Sequence, residues 1–255
     1  MKKYRGVFLK NSSEISLMRE ANLIVYEVLD ALEAAVEPGV PTMEFEKIAV
    51  DICKKRKVKP AFLGYGGFPF TLCCSVNEEV VHGFPSSERK LVEGDIVSFD
   101  MGVIYQGFYG DSARTVAVGT IEPEVQKLLD VTRESLMKGI EKAVPGNTLF
   151  DISAAVQGHV QSHGFDVVRR FVGHGIGRRL HEKPEVPNFV PKGLPDIPLK
   201  PGMVLAIEPM VTMGSPDVEI LSDQWTAVTK DRSLSGHFEH SVALTDNGPY
   251  ILSRP

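Results

Sequence analysis

Two stretches of this chain are echoed later in the same order. Ala35-Val-Glu-Pro-Gly-Val-Pro-Thr42 resembles Ala143-Val-Pro-Gly-Asn-Thr148, and Leu91-Val-Glu-Gly-Asp-Ile-Val-Ser-Phe-Asp100 resembles Leu199-Lys-Pro-Gly-Met-Val-Leu-Ala-Ile-Glu208, at an offset of 106 to 108 residues. The periodicity around the matches repeats as well. Met18, Ala21, Val25, Val28 and Leu32 recur at helical spacing over 14–36, and Phe45, Ile48, Ala49 and Ile52 mark a second helix. After a glycine-rich, β-branched stretch over 60–119, Leu128, Val131, Leu136 and Ile140 mark a third helix, and Ile152, Ala155, Val156 and Val160 a fourth. Strand patterning then resumes over 165–251. Ser12 or Ser13, Thr42, and Asn147 or Thr148 are the expected N-caps, while Pro38-Gly39 and Pro145-Gly146 end the helices that precede them. A chain written twice as helix, helix, strands predicts an α/β (α+β) fold of two pseudo-symmetric halves, about 14–119 and 122–251, around antiparallel sheet. No linker separates the halves, so 1–255 reads as one domain.

The repeat aligns Asp100 with Glu208, each six residues after a glycine. Asp100 has a nearer partner too. Gly94 to Val116 reads as two strands folded back near Tyr105-Gln106-Gly107, which predicts Asp100 and Asp111 as cross-strand neighbours on one face. Like charges opposed across a strand pair are destabilising, and a cation between them reverses the sign. The small residues Ser98 and Gly102 beside Asp100, and Ala206 beside Glu208, predict room for a ligand on that face.

Further donors lie in Phe171-Val-Gly-His174-Gly-Ile-Gly-Arg-Arg-Leu-His181, in Gly236-His-Phe-Glu239, and in Asn77-Glu-Glu-Val-Val-His82. The glycine run at 173, 175 and 177 is not a dinucleotide fingerprint, and His181-Glu-Lys-Pro-Glu185 is not a zincin helix. Taken singly, His82 and His181 read as surface or core histidines, and Glu208 before Pro209 as a strand end. Glu239 is the exception, because an acid within an apolar strand is costly to bury unpaired. His159, His163, His237 and His240 read as structural, with His237 on the same face as Glu239. Together Asp100, Asp111, His174, Glu208 and Glu239 make four carboxylates and one imidazole, a donor set suited to two Mn, Fe or Co ions and less clearly to Zn.

Composition excludes other classes. A net charge of −5 and a pI of about 5.8 argue against direct nucleic-acid binding. No apolar run reaches the ~18 residues of a membrane span. Three cysteines, Cys53, Cys73 and Cys74, do not make a disulfide framework, which predicts a reducing cytoplasm.

Asn77-Glu-Glu-Val-Val-His82-Gly, Gly110-Asp111-Ser, Gly173-His174-Gly-Ile-Gly177, Ile207-Glu208-Pro-Met and Phe238-Glu239-His together resemble the type I methionine aminopeptidases of the bacterial short form, within the M24 metallopeptidases, over nearly the whole chain. The resemblance implies the "pita-bread" fold and removal of the initiator methionine before a small second residue. It implies that Asp100 chelates one of two divalent ions, that His174 and Glu208 bind the other, and that Asp111 and Glu239 bridge them. A hydroxide bridging the ions would attack the first peptide bond, with Glu208 as general base, His181 on the carbonyl oxygen and His82 at the scissile nitrogen. The methionine pocket would comprise Phe62, Tyr65, Phe68, Cys73, Leu180 and Trp225, surfaces suited to a flexible thioether. The partners implied are peptides and nascent chains with N-terminal methionine, at the ribosome, for a monomer. Phe62, Gly66, Gly102 and Leu180 depart from the best-known bacterial pattern, which has cysteine, histidine, threonine and phenylalanine there; they bear on pocket shape and loop stiffness. Two competing readings are a proline-specific relative, which usually carries a further N-terminal domain, and a metal-free binding protein, which predicts lost ligands.

Overall fold

The computed structural model describes residues 2–255. Its four long helices are α1 (Ser12–Ala34), α2 (Met43–Arg56), α3 (Pro123–Lys142) and α4 (Leu149–Ser162). Each half runs helix, helix, strands, as the periodicity predicts. Two caps differ from expectation. Asn11, not a serine, starts α1: its Oδ1 accepts the Glu14 amide at 2.9 Å, and the Glu14 carboxylate accepts the Asn11 amide at 3.1 Å, a reciprocal capping box. Thr42 does not cap α2, because its hydroxyl is used at long range, accepting the Ser86 amide at 2.8 Å. Thr148 starts α4 as expected, with its amide donating to Asp151 at 2.7 Å.

The first half lays α1 and α2 on one face of a four-stranded antiparallel sheet. Its central strand, Ile96–Tyr105, pairs with Phe108–Ala117 on one side and with Leu72–Val76 and Lys59–Pro60 on the other. Strand alternation sends Val97, Phe99, Met101 and Val103 into the core with Val25, Leu29, Leu32, Phe45 and Ala49. Phe45 and Phe99 meet with ring centroids 4.7 Å apart. The other face, bearing Ser98, Asp100 and Gly102, is turned away from the helices.

The second half repeats the plan. A five-stranded antiparallel sheet runs Glu182–Val186, Gly173–Gly175, Val204–Ile207, His240–Thr245, Gly248–Ile251 in spatial order. Leu205, Ile207, Val242 and Leu244 pack against Leu128, Leu136, Ile140, Ile152 and Val156 of α3 and α4. Both sheets thus bury one face under helices by ordinary apolar packing, worth about 25 cal/mol per Å² removed from water. No helix among the described residues is long and apolar enough to cross a membrane.

Buried hydrogen bonds fasten one half to the other beside the acidic face. Glu239 donates its amide to the Ala113 carbonyl at 3.0 Å. Ser112 Oγ donates to the Glu239 carbonyl at 2.6 Å, Ser241 Oγ to the Asp111 carbonyl at 2.9 Å, and Thr115 Oγ1 to the His237 carbonyl at 2.8 Å. A β-carbon on Gly110 would lie 2.7 Å from the backbone of Ala21 and Asn22. Glycine there lets the strand press onto α1, where buried Asn22 accepts the Asp111 amide at 3.3 Å. The backbone on both sides of Asp111 is held before any ligand is considered.

Candidate metal centre and active site

The hairpin sets the first two acids. Gln106 and Gly107 have φ of 48° and 80°, the pair of positive values that a two-residue turn of the I′ class requires. That turn pairs Tyr105 with Phe108, so Asp100 lies opposite Ala113 and Asp111 opposite Gly102. Asp100 and Asp111 therefore share a face, as predicted, but as diagonal rather than directly opposed neighbours. Directly across from Asp100 on its other side stands Cys73.

The expected room for a ligand on that face is present, but not at Gly102 and Ser98 themselves. A β-carbon on Gly102 would lie 2.9 Å from Phe62 Cε1 and 3.0 Å from Ala61 Cβ, so that space is already filled by the Phe62 ring. Ser98 is engaged too, with its Oγ 2.8 Å from Thr115 Oγ1. The cavity opens beside them on the same face, walled by the second sheet and the 62–68 loop.

That cavity, of about 300 Å³, receives Asp100, Asp111, His174, Glu208 and Glu239 at one end. Phe62, Tyr65, Phe68, Cys73, Leu180 and Trp225 line it, together with His82 and His181. Every site residue expected from the sequence faces this one space. Val81, Phe171 and Val172 also line it and were not foreseen. Phe68 packs edge-on against Trp225 with centroids 5.2 Å apart, and His82 edge-on against Phe171 at 5.4 Å. His82 follows the strand Glu79–Val81 at φ 61°, a left-handed conformation that turns it out of the strand.

The acidic end has the chemistry of a cation site. Asp111 and Glu239 are 3% and 2% exposed, yet Asp100 Oδ1, Asp111 Oδ1 and Glu239 Oε1 have no protein hydrogen-bond partner among the described residues. Ligand atoms of Asp111, His174 and Glu239 all lie within 4.8 Å of one another. Burial pushes the Asp100 carboxyl up to about 7. Burial first, and then the neighbouring carboxylates, push Asp111, Glu208 and Glu239 well above the usual range. Burial and His181 hold His174 down to about 3, so its Nε2, 3.5 Å from Glu208 Oε1 and 3.7 Å from Asp111 Oδ2, is a neutral lone pair rather than an ion-pair donor. His174 Nδ1 lies 2.9 Å from the Gly175 carbonyl. Donation there fixes the tautomer that frees Nε2 for a metal. Unpartnered oxygens and a lone pair converging out of water fit divalent cations.

His237 is the residue the sequence reading undervalued. It is buried beside Glu208, with Nε2 3.8 Å from Glu208 Oε2, and neither ring nitrogen has a hydrogen-bond partner among the described residues. Its alternation with Glu239 was the available signal. Lys10 and Glu182 form a second unforeseen feature, a buried pair with Nζ–Oε2 at 2.8 Å beside His181.

The shifts predict how the metal-free protein responds to pH. Raised carboxylates bind more protons folded than unfolded, so their stabilisation is complete below the unfolded value and fades as pH rises through the folded one. The buried histidines 82, 174, 237 and 240, held at about 4, 3, 3 and 4, act oppositely: their contribution is complete above pH 6.5 and is lost in acid. Above about pH 6.5 only the carboxylate loss remains. The midpoint of thermal unfolding without metal should fall from about pH 6.5 to about pH 8.5, and saturating divalent ion should flatten that slope. Calorimetry with and without metal tests this, and a metal-free midpoint rising over that interval contradicts it.

Comparison with known proteins agrees with this geometry. A profile of metallopeptidase family M24 matches residues 16–246. The methionine aminopeptidase of Clostridium acetobutylicum is 53% identical over 247 residues, covering 97% of this chain and 98% of that protein. The crystal structure of methionine aminopeptidase from Thermotoga maritima superposes with a TM-score of 0.95 at 46% identity, covering 98% of this chain and all of that one. The prolidase from Pyrococcus furiosus, at a TM-score of 0.78 and 22% identity over 97% of this chain and 65% of its own, shares the fold. The architecture is the pita-bread α/β fold.

Proposed function

The chain belongs to metallopeptidase family M24, and from that premise we propose that it is a metal-dependent aminopeptidase that removes N-terminal methionine. The observation that carries this reading is one cavity with two unlike ends. Four carboxylates and an imidazole converge at one end, with Cys73 directly across from Asp100, and the rest is walled by aromatic rings and Leu180. At about 300 Å³ it lies at the small end of ligand pockets, with room for one methionine side chain beside the acids.

Asp100, Asp111, His174, Glu208 and Glu239 would hold two divalent ions. Bound divalent ions supply Lewis acidity and bring the pKa of water from 15.7 toward about 7. The chain's own groups do the rest. The aromatic wall seats the methionine side chain and excludes water from the first peptide bond. His181 donates to the substrate carbonyl oxygen as negative charge develops there. Neutral His82, held down to about 4 by burial and by His181, hydrogen-bonds the scissile nitrogen. Glu208 receives a proton from the attacking water and returns it to the leaving amine. Nascent chains with a small second residue, emerging at the ribosome of a reducing cytoplasm, are the natural substrates on this reading, met by the enzyme as a monomer.

The test is reconstitution of metal-free protein with Mn, Fe, Co or Zn, followed by assay on Met-Ala-Ser, Leu-Ala-Ser and an Xaa-Pro peptide, with bound metal measured alongside. Two ions per chain, selective release of methionine and complete loss with chelator are expected. Faster turnover of the leucine or Xaa-Pro peptide would overturn the assignment, and so would methionine release undiminished by chelation.

A further inference from the structure

Tyr65 does more than wall the pocket. Its hydroxyl oxygen lies 2.7 Å from His181 Nδ1, with the two rings 5.2 Å apart and tilted by 58°. The residue is 43% exposed, so water is available to the hydroxyl, yet it rests on a particular ring nitrogen. The loop is shaped to bring it there. Gly64, Gly66 and Gly67 have φ of 81°, 57° and 94°, and the Phe68 amide closes the turn on the Tyr65 carbonyl at 2.9 Å. A β-carbon at Gly66 would sit 3.3 Å from Trp225 Cη2. The absence of a side chain at 66 thus lets the loop lie against Trp225 with Tyr65 reaching across the cavity mouth to His181.

We propose that Tyr65 is a positioning residue for His181: its O–H donates to Nδ1 and thereby leaves the single imidazole proton on Nε2, the nitrogen on the opposite side of the ring. This rests on the aminopeptidase reading, which gives His181 its task. A neutral imidazole carries one N–H. With that proton on Nδ1, the ring would present a lone pair to the substrate carbonyl as charge develops, and repel it. With the proton on Nε2, the ring donates. The phenol suits the role because a tyrosine hydroxyl keeps its proton at neutral pH. The same bond restrains rotation of the ring, whose centroid lies 4.3 Å from that of His174.

The decisive variant is Tyr65→Phe, which keeps the ring in the pocket wall and removes only the hydroxyl. Two measurements are made on it and on the unaltered chain. In metal-free protein, ¹⁵N spectra of the histidine side chains should show His181 as a single Nε2–H tautomer with Nδ1 accepting, replaced in the variant by an average of both tautomers; His181→Asn assigns the signal. In metal-loaded protein, kcat on Met-Ala-Ser should fall about tenfold, the size of one neutral hydrogen bond, with KM within about twofold. Gly66→Ala, which keeps the hydroxyl but pushes the loop off Trp225, should move both readouts in the same direction. An unchanged His181 spectrum overturns the proposal whatever the rates do. An unchanged kcat, or a rise in KM alone, also overturns it and leaves Tyr65 a pocket wall. Failure of the unaltered, metal-loaded chain to cleave Met-Ala-Ser would instead sink the aminopeptidase reading, which the spectra do not depend on.

Discussion

Glu208→Gln should fold normally and lose about 10²–10⁴-fold in turnover on a methionyl peptide, the usual worth of a positioned proton acceptor. The geometry favours this substitution as a clean one. Gln is isosteric, and the backbone at 208 is held independently by Asn188, whose Nδ2 donates to the Glu208 carbonyl at 3.0 Å. Removing one of four crowded carboxylates also relieves repulsion, since burial and then the Asp100 carboxylate raise the Glu208 pKa. Metal-free Glu208→Gln should therefore be at least as stable as the unaltered chain near pH 8. What it loses is the ability to take a proton, and one anionic donor beside His174. Those losses separate by titration: a ligand defect is repaired by saturating ion, a missing base is not. Turnover that recovers to near the original value at saturating Mn or Co would show that Glu208 only holds metal, and the proposed proton transfer would have to move to another group.

How much of this could be read from the residues depends on the range of the interactions involved. The four helices were legible because their apolar spacing is local, and the shared face of Asp100 and Asp111 because parity along a strand is local. Their diagonal offset was not, since it depends on where the hairpin turns; Gln106-Gly107 as a two-residue turn fixes it. Asn11 was passed over for the serines after it, although Asn11 and Glu14 stand at capping-box spacing. Thr42 looked like a cap and is instead committed to Ser86, a contact no local window contains. The ligand set drew on motif resemblance as much as on patterning. Gly102 shows the limit of arguing space from small residues: the gap was real, but Phe62 fills it. His237 needed the placement of Glu208, which comes from a different strand of the second half.

The buried pair Lys10–Glu182 lay beyond any such reading, 172 residues apart in the chain, and it carries the largest stability effect we expect. The two side chains are 1% and 3% exposed. Lys10 Nζ donates to Glu182 Oε2 at 2.8 Å and to the Phe8 carbonyl at 3.1 Å, while Glu182 Oε1 accepts the amides of Arg178 and Arg179 at 2.8 and 3.2 Å. Lys10 is itself anchored through its amide to the Gly202 carbonyl at 2.7 Å. The pair thus ties the N-terminal segment to the turn that carries Leu180 and His181. Lys10→Met keeps the apolar stem and removes the charge, leaving a buried carboxylate without its cation. Breaking a buried pair from one side costs about 3–5 kcal/mol, against about 0–1 for an exposed one. Urea unfolding of the metal-free protein should show a loss in the former range with an unchanged m-value. Adding Glu182→Gln should recover part of it, because the amide oxygen still accepts from both backbone N–H groups and no charge is stranded. The turn should loosen as well, lowering kcat/KM in the loaded enzyme. A loss below about 1 kcal/mol in the single variant would place the pair with ordinary surface bridges. A double variant less stable than Lys10→Met would show instead that the carboxylate's backbone contacts, not its pairing with Lys10, hold the turn.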